Sequence, residues 1–171
     1  VPVVKHGNRA VTSASGSSDI LRALGVNVEM STEVAQRALA ETNLCFLMAP
    51  LYHQAMRHVA PVRQELGLRT IFNLLGPLAN PARTTKQLLG VYDAAWLKPL
   101  AHVLDKLGAS DAWLVHGHDG MDEIATTTTS QIVTLKDGEI TEWVLDPRDY
   151  GIELVEENAL AGGLPDENAH A

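Results

Sequence analysis

The sequence predicts an α/β fold in which a mostly parallel sheet is flanked by helices, with an antiparallel hairpin near the C-terminus. Short apolar runs alternate with longer amphipathic stretches. The connections between the runs are too long for hairpins, which is typical of parallel strands joined by helices. Nearer the C-terminus, Asp137-Gly138 separates two strand-like runs, and this dipeptide favours a two-residue hairpin turn. Apolar residues make up 46% of the 171 positions and aromatic residues only 5%, which fits a domain built on Ala, Leu and Val.

The apolar runs set the predicted strands. The run Leu44–Met48 is apolar throughout, as expected for a parallel strand that is buried on both faces. Residues 1–4 are predicted to form the end of another buried strand. The other predicted strands are 87–91, 112–117, Ser130–Lys136 and Glu139–Leu145. The threonine run 126–129 is expected to lead into the first strand of the hairpin.

Helices are predicted between these strands. One covers 20–25 and closes at Gly25, and another begins at Ser31 or Thr32 and runs to about residue 41. A third is expected over 52–65, interrupted or kinked at Pro61. A fourth covers 94–107. The segment 69–80 is predicted to be a stiff turn rather than a helix, and the chain after residue 154 is expected to be a weakly structured tail.

The net charge, the lengths of the apolar runs and the cysteine count argue against several classes of protein. The net charge is −8, and the chain has no basic run, which argues against a nucleic-acid surface. No apolar run is long enough to predict a transmembrane helix. The single cysteine, Cys45, excludes an intrachain disulfide and fits a reducing cytoplasm. Because Cys45 lies within an apolar run, we expect it to be buried and not to act as a nucleophile.

The segment 5–19 has the chemistry of an anion site. It follows the first predicted strand and precedes the first predicted helix, which is where α/β sheets bind ligands. Lys5 and Arg9 supply positive charge, five serine and threonine hydroxyls can donate, and the glycines allow backbone N–H groups to approach a ligand closely. The start of the helix adds unpaired N–H groups. The alternative is an ordinary polar loop in which Ser18 or Asp19 caps the helix.

Three blocks of sequence carry a resemblance to a known family. Residues 5–9 read Lys-His-Gly-Asn-Arg and are followed over 13–19 by Ser-Ala-Ser-Gly-Ser-Ser-Asp. Residues 72–78 read Phe-Asn-Leu-Leu-Gly-Pro-Leu within a longer matching block, 63–81, and residues 120–123 read Gly-Met-Asp-Glu. In this order the blocks resemble anthranilate phosphoribosyltransferases, and the resemblance extends across nearly all of the chain.

The resemblance implies a function and a set of site residues. It implies transfer of a phosphoribosyl group from phosphoribosyl diphosphate (PRPP) to anthranilate, with Mg²⁺ as cofactor. The residues implied to hold PRPP are Lys5, Gly7, Asn8, Arg9, Ser13 and Ser17. Those implied to frame anthranilate are Asn8, Arg63, His6 and Pro77. Asp122 and Glu123 are implied to be the magnesium ligands, and His116 and His118 then either support these ligands without touching the ion or are incidental. No covalent nucleophile is implied, since positioning and electrostatics suffice for this chemistry.

The resemblance also carries expectations about the whole protein. We expect residues 1–171 to form part of a phosphoribosyltransferase α/β domain, without the family's N-terminal helical domain, glycine-rich diphosphate loop and C-terminal helices. The piece alone would then be inactive, and the full-length protein would be a cytoplasmic homodimer without nucleic-acid or membrane partners. Two alternatives stay open. A pyrimidine nucleoside phosphorylase shares the fold, but the 72–78 block counts against it. A non-catalytic nucleic-acid-binding relative is disfavoured by Asp122, Glu123 and the net charge.

Overall fold

The computed structural model describes residues 1–8, 15–68 and 70–170, and it confirms the α/β class. The chain forms two compact units. The first consists of Val1–Arg83 with Gly162–Ala171, and the second of Thr84–Ala161. None of the helices in the described ranges has the length and apolar character that crossing a lipid bilayer requires.

The first unit contains two parallel strands and most of the helices. Its elements in chain order are β1 (Val3–Gly7), α1 (Ser17–Ala23), α2 (Thr32–Thr42), β2 (Leu44–Met48), α3 (Ala49–Tyr52), a 3₁₀ helix (Gln54–His58), α4 (Ala60–Leu66), α5 (Phe72–Leu78) and α7 (Pro165–His170). β1 and β2 pair in register from Val3 opposite Leu44 to Gly7 opposite Met48. The predicted strand at Leu44–Met48 is therefore confirmed as parallel, and its last four residues are buried.

The helix predicted from Ser31 or Thr32 is α2, and its ends follow ordinary capping chemistry. The Ser31 side chain accepts a hydrogen bond from the Val34 amide at 3.4 Å, and Asn43 ends the helix with a left-handed φ of 60°. Ala35, on the buried face of α2, packs with Cys45 and Leu47 of β2. This cluster forms the core between α2 and the β1–β2 strand pair.

Two predictions for the first unit are wrong in detail. β1 continues to Gly7 and does not stop at residue 4, so Lys5 and His6 are strand residues. The single helix predicted over 52–65 is instead three short elements. The reason is proline, since Pro50 and Pro61 each lie at the start of a helix, where a residue without an N–H is tolerated.

The predicted stiff turn at 69–80 contains a helix, α5. Pro77 lies inside it. A proline so near the C-terminal end of a short helix removes only one intrahelical hydrogen bond, so the helix persists to Leu78. The tail that was expected to be weakly structured also contains a helix, α7, and Asn168 within it donates a hydrogen bond to the Ser15 hydroxyl at 2.7 Å.

The second unit is a four-stranded sheet covered by one long helix. Its elements are β3 (Lys86–Gly90), a 3₁₀ helix (Ala94–Trp96), α6 (Leu97–Lys106), β4 (Asp111–Gly117), β5 (Ser130–Lys136), β6 (Glu139–Leu145) and two further 3₁₀ helices (Pro147–Tyr150 and Glu157–Leu160). The strand order is β3-β4-β5-β6, with the first pair parallel and the other two antiparallel. The buried face of α6 packs on this sheet through Leu97, Leu100, Ala101 and Leu104.

The predicted hairpin is confirmed to the residue. Asp137 and Gly138 both have positive φ, 49° and 85°, which is the type I′ geometry that matches the twist of the flanking strands. On the same sheet, Trp113 and Trp143 pack edge to face with their ring centroids 5.2 Å apart, and the Trp143 indole donates a hydrogen bond to Thr134.

Candidate active site

The C-terminal end of β1 presents the predicted site residues on two faces. Since successive strand side chains point to opposite faces, Lys5 and His6 diverge. Lys5 is exposed, whereas His6 is half-buried. Gly7 packs closely on β2, since a Cβ at this position would lie 2.8 Å from Cζ of Phe46. Gly7 therefore has a packing reason to be glycine, independent of any ligand.

The chain that follows β1 is tied to the start of α1. The buried Ser18 hydroxyl donates to the Asn8 carbonyl oxygen at 2.9 Å, and the Gly16 amide donates to the Asp19 carboxylate at 3.0 Å. Gly16 is thus the N-cap of α1, and Asp19, at the third helical position, bonds back to its amide, whereas the Ser18 side chain does not cap the helix. Ser17 is the exposed first residue of α1. Arg9 and Ser13, both predicted to hold PRPP, lie outside the described residues.

His6 has a partner that the sequence did not indicate. Its Nε2 atom lies 3.1 Å from Nε2 of His53, and the two rings meet edge to face. Burial lowers the pKa of His6, the neighbouring His53 lowers it further, and a hydrogen bond with the Gly76 backbone opposes both effects. The net result is a pKa below the ordinary histidine value, so His6 is a neutral ring near pH 7.

Helix α5 joins the predicted anthranilate residues. The Arg63 guanidinium carbon lies 5.4 Å from the centre of the Phe72 ring, at the first turn of α5. One turn later, the Gly76 backbone lies close enough to His6 to raise its pKa. Pro77 follows on the same helix and is exposed. The structure therefore brings Arg63, His6 and Pro77 to one helix, although they are distant in sequence.

The predicted metal ligands lie in the second unit, in the loop that follows β4. Asp122 and Glu123 are both exposed. The loop turns back sharply, with the Gly117 amide donating to the Met121 carbonyl oxygen at 2.8 Å. The backbone of Asp122 lies against Gly90 at the end of β3, so closely that a Cβ on Gly90 would overlap the Asp122 carbonyl oxygen. The place of this carboxylate pair is therefore set by contact with a neighbouring strand.

The other polar residues of this loop serve its own structure. His116 Nδ1 lies 2.7 Å from the Val91 carbonyl oxygen, and His118 Nδ1 lies 2.7 Å from the Thr129 hydroxyl. Asp119 accepts hydrogen bonds from the Thr127 hydroxyl and the Met121 amide. Partial desolvation raises the pKa of Asp119, but these hydrogen bonds together outweigh it and the net pKa is lowered.

These contacts leave two carboxylates for a metal. Within residues 1–8, 15–68 and 70–170, no group of three or more His, Cys, Asp and Glu side chains is placed to hold an ion. A pair of exposed carboxylates fits Mg²⁺, which keeps several waters and shares its ligands with phosphate groups. The pair fits a transition metal poorly, because among the described residues no third His, Cys, Asp or Glu side chain is placed beside it to complete a ligand set.

Sequence reasoning missed His53, Phe72 and Gly90. Each acts through a tertiary contact, with His6, Arg63 and Asp122 respectively. Phe72 and Gly90 lie within apolar segments whose pattern predicts packing alone. His53 gave only the weak signal of a polar residue beside a helix.

Comparison with known proteins identifies the family. The family model described as "Glycosyl transferase family, a/b domain" matches residues 1–171. The chain belongs to this glycosyl transferase family. An anthranilate phosphoribosyltransferase from Sinorhizobium medicae is 54% identical over all 171 residues, which cover 50% of that relative.

Solved structures agree with this assignment of the glycosyl transferase a/b domain. Anthranilate phosphoribosyltransferase from Thermus thermophilus superimposes with a TM-score of 0.90 at 46% identity, over 99% of this chain and 50% of that one. The Saccharomyces cerevisiae enzyme in complex with PRPP and Mg gives a TM-score of 0.88 at 31% identity, over 98% of this chain and 46% of that one. The resemblance to anthranilate phosphoribosyltransferases is confirmed, and the chain spans about half the length of these relatives.

Proposed function

We propose that the protein transfers the phosphoribosyl group of PRPP to the amino nitrogen of anthranilate, giving N-(5-phosphoribosyl)anthranilate and diphosphate in tryptophan biosynthesis. The observation that carries the proposal is the arrangement along α5, where Arg63 lies over Phe72 at the start of the helix and the neutral His6 and the exposed Pro77 lie near its end. Arg63, His6 and Pro77 match the carboxylate and the aromatic ring of the acceptor. The relatives are themselves anthranilate phosphoribosyltransferases, which favours this function over the two alternatives.

On the acceptor side, Arg63 binds the anthranilate carboxylate. Its planar guanidinium offers paired N–H donors that fit a carboxylate. Pro77 lies against the aromatic ring, and His6 and Asn8 complete the frame. Because His6 is neutral, it adds no second positive charge beside the acceptor, and its Nε2 atom is engaged with His53.

On the donor side, PRPP is held by Lys5, Asn8 and Ser17, together with the backbone at Gly7. Lys5 is exposed near the end of β1, and the hydrogen bond from Ser18 fixes the Asn8 backbone against the start of α1. Arg9 and Ser13 belong to the same proposed set. A lysine ammonium and several hydroxyls suit the phosphate and ribose oxygens of this substrate.

Asp122 and Glu123 would hold Mg²⁺. When bound, the ion supplies positive charge that stabilises the departing diphosphate. The two carboxylates provide hard oxygen ligands and leave the remaining positions to water and phosphate oxygens. The hydrogen bonds of Asp119 within the loop keep its carboxylate engaged, so the ion's protein ligands are the adjacent pair.

The chemistry needs no covalent nucleophile from the chain. The amino nitrogen of anthranilate is already neutral, and the barrier lies in the loss of a highly charged leaving group. Cys45 is buried, and its pKa is raised by burial, so its thiol does not serve as a nucleophile. A free, buried cysteine also fits the proposed cytoplasmic location, and the homodimer stays a prediction.

The decisive experiment follows the fluorescence of anthranilate with the full-length protein. We expect the signal to fall only when both PRPP and Mg²⁺ are present, with diphosphate released in equal amount. Omission of either addition is the control. A flat trace from folded protein with both additions would reject the proposed function.

A further inference from the structure

We propose that Phe72 positions Arg63 for its substrate, by holding the guanidinium against the face of its ring. This inference rests on the proposed function, in which Arg63 binds the anthranilate carboxylate. It adds a positioning residue that touches Arg63 and is not itself required to touch substrate.

The contact has the geometry of a cation–π pair. The guanidinium carbon lies 5.4 Å from the ring centre, within the distance at which the negative face of an aromatic ring attracts a cation. Both side chains are half-buried, which limits competition from water. A guanidinium held over an aromatic ring keeps free those N–H donors that point away from the ring, and these can bind a carboxylate.

Both partners are anchored at helix ends. Arg63 lies in the last turn of α4, and its carbonyl oxygen accepts a hydrogen bond from Gly67, which ends the helix with a φ of 59°. At the start of α5, the Thr70 amide donates to the Asn73 side chain at 2.9 Å, and the Asn73 amide donates to the Thr70 carbonyl oxygen at 2.9 Å. These reciprocal bonds fix the turn that carries Phe72.

Arg63 has no competing acidic partner in the described part of the chain. The ion pairs there join Arg22 to Glu29, Lys98 to Glu142 and Arg148 to Asp146. The position of an arginine side chain without a carboxylate partner is set by the packing of its aliphatic stem and by the groups that its guanidinium contacts. Phe72 is therefore the group that restricts the guanidinium before substrate arrives, and this lowers the conformational cost of binding.

Steady-state kinetics on the full-length protein test the proposal. Phe72→Leu removes the ring but keeps an apolar side chain, and Phe72→Tyr keeps the ring. We expect Phe72→Leu to raise KM for anthranilate about 2- to 5-fold, the range for a partly exposed cation–π pair. The kcat and the KM for PRPP should stay unchanged, and Phe72→Tyr should behave as the parent. Ile71→Leu, at the exposed neighbouring position, is the matched control.

A double-mutant cycle separates positioning from a general effect on α5. In the Arg63→Ala background, Phe72→Leu should not raise KM for anthranilate any further. Where Phe72→Leu folds poorly by circular dichroism, Phe72→Met replaces it, since methionine also lacks the ring face.

The outcomes distinguish the two proposals. If Arg63→Ala raises KM for anthranilate and Phe72→Leu does not, the positioning role is wrong and the proposed function stands. Equal effects in Phe72→Leu and Phe72→Tyr, or additive effects in the cycle, also overturn the positioning role. If Arg63→Ala leaves KM unchanged, both the carboxylate contact and the role of Phe72 are rejected.

Discussion

The Nε2 atoms of His6 and His53 lie 3.1 Å apart, so one ring donates the hydrogen bond and the other accepts it. The accepting ring must be neutral, because a protonated imidazole has no acceptor nitrogen. The two facing Nε2 atoms can therefore share one proton, but they cannot both be protonated while they stay in contact. Acid should break this contact, which lies beside the proposed acceptor site.

Stability should depend on pH through His6. Its pKa in the folded protein is lowered below the ordinary value of 6.5. The unfolded chain therefore binds more protons in the window just below 6.5, and the free energy of unfolding falls as the pH drops through it. Urea denaturation from about pH 7.5 to about pH 5 measures this slope. His6→Gln should flatten it, while His102→Gln, an exposed histidine, should not; equal slopes in parent and His6→Gln would contradict the prediction.

Arg63→Ala should weaken anthranilate binding much more than PRPP binding. Loss of a charge-assisted contact costs roughly 1.5–3 kcal/mol, which is about a 10- to 150-fold change in affinity. Fluorescence titration for anthranilate and calorimetry for PRPP measure the two affinities. Arg37→Ala, an exposed arginine on α2, is the control for loss of charge alone. Parallel losses for both ligands would remove Arg63 from the acceptor site.

Asp122→Asn should shift the magnesium dependence to higher concentration. The amide keeps the size of the side chain but loses its charge, so it is a poorer ligand for a hard cation. Calorimetric titration of Mg²⁺ in the presence of PRPP gives the readout, together with the Mg²⁺ titration of activity. Asp105→Asn, an exposed carboxylate on α6, should change neither. Superimposable curves for parent and Asp122→Asn would rule out the ligand role.

Gly90→Ala should disturb the loop that carries Asp122 and Glu123, although residue 90 lies on β3 and outside that loop. The added methyl group overlaps the Asp122 carbonyl oxygen, so the loop must move or the strand must shift. Such overpacking typically costs about 1–3 kcal/mol of stability. The variant should also weaken Mg²⁺ binding, although Gly90 carries no ligand atom. Gly76→Ala is the control for stability, because nothing lies within 4 Å of its added methyl group. Unchanged stability and Mg²⁺ affinity in Gly90→Ala would refute the contact.

Cys45 should resist thiol reagents in the native protein. Its side chain is buried, and burial raises its pKa, so little reactive thiolate is available. Labelling should be slow in buffer and fast in denaturant, with mass spectrometry as the readout. Fast labelling of native protein would show that the cluster with Ala35 and Leu47 opens readily.

Elements with a strong local signal could be predicted from the sequence. Leu44–Met48 is apolar throughout, Asp137-Gly138 can adopt positive φ, and Ser31 caps a periodic helix, and all three were predicted correctly. Helix α5 was not, because Gly76-Pro77 is a typical turn signal that the short helix tolerates near its end. Tertiary context overrode local propensity there.

The candidate site, too, could be predicted only in part. The family resemblance supplied Arg63, His6 and Asp122, whose roles stay predictions. It did not supply the partners that hold them, since His53 lies 47 positions from His6 and meets it only through the fold. Gly90 and Asp122 meet where the end of a strand passes a loop, and no periodicity in the sequence encodes that approach.

All three tryptophans, including the edge-to-face pair Trp113 and Trp143, belong to the second unit. The only cysteine belongs to the first. Tryptophan emission therefore reports the melting of the second unit, and the accessibility of the Cys45 sulfur reports the opening of the first. Each unit carries its own native probe, so the stabilities of the two units can be measured separately in one protein without any added mutation.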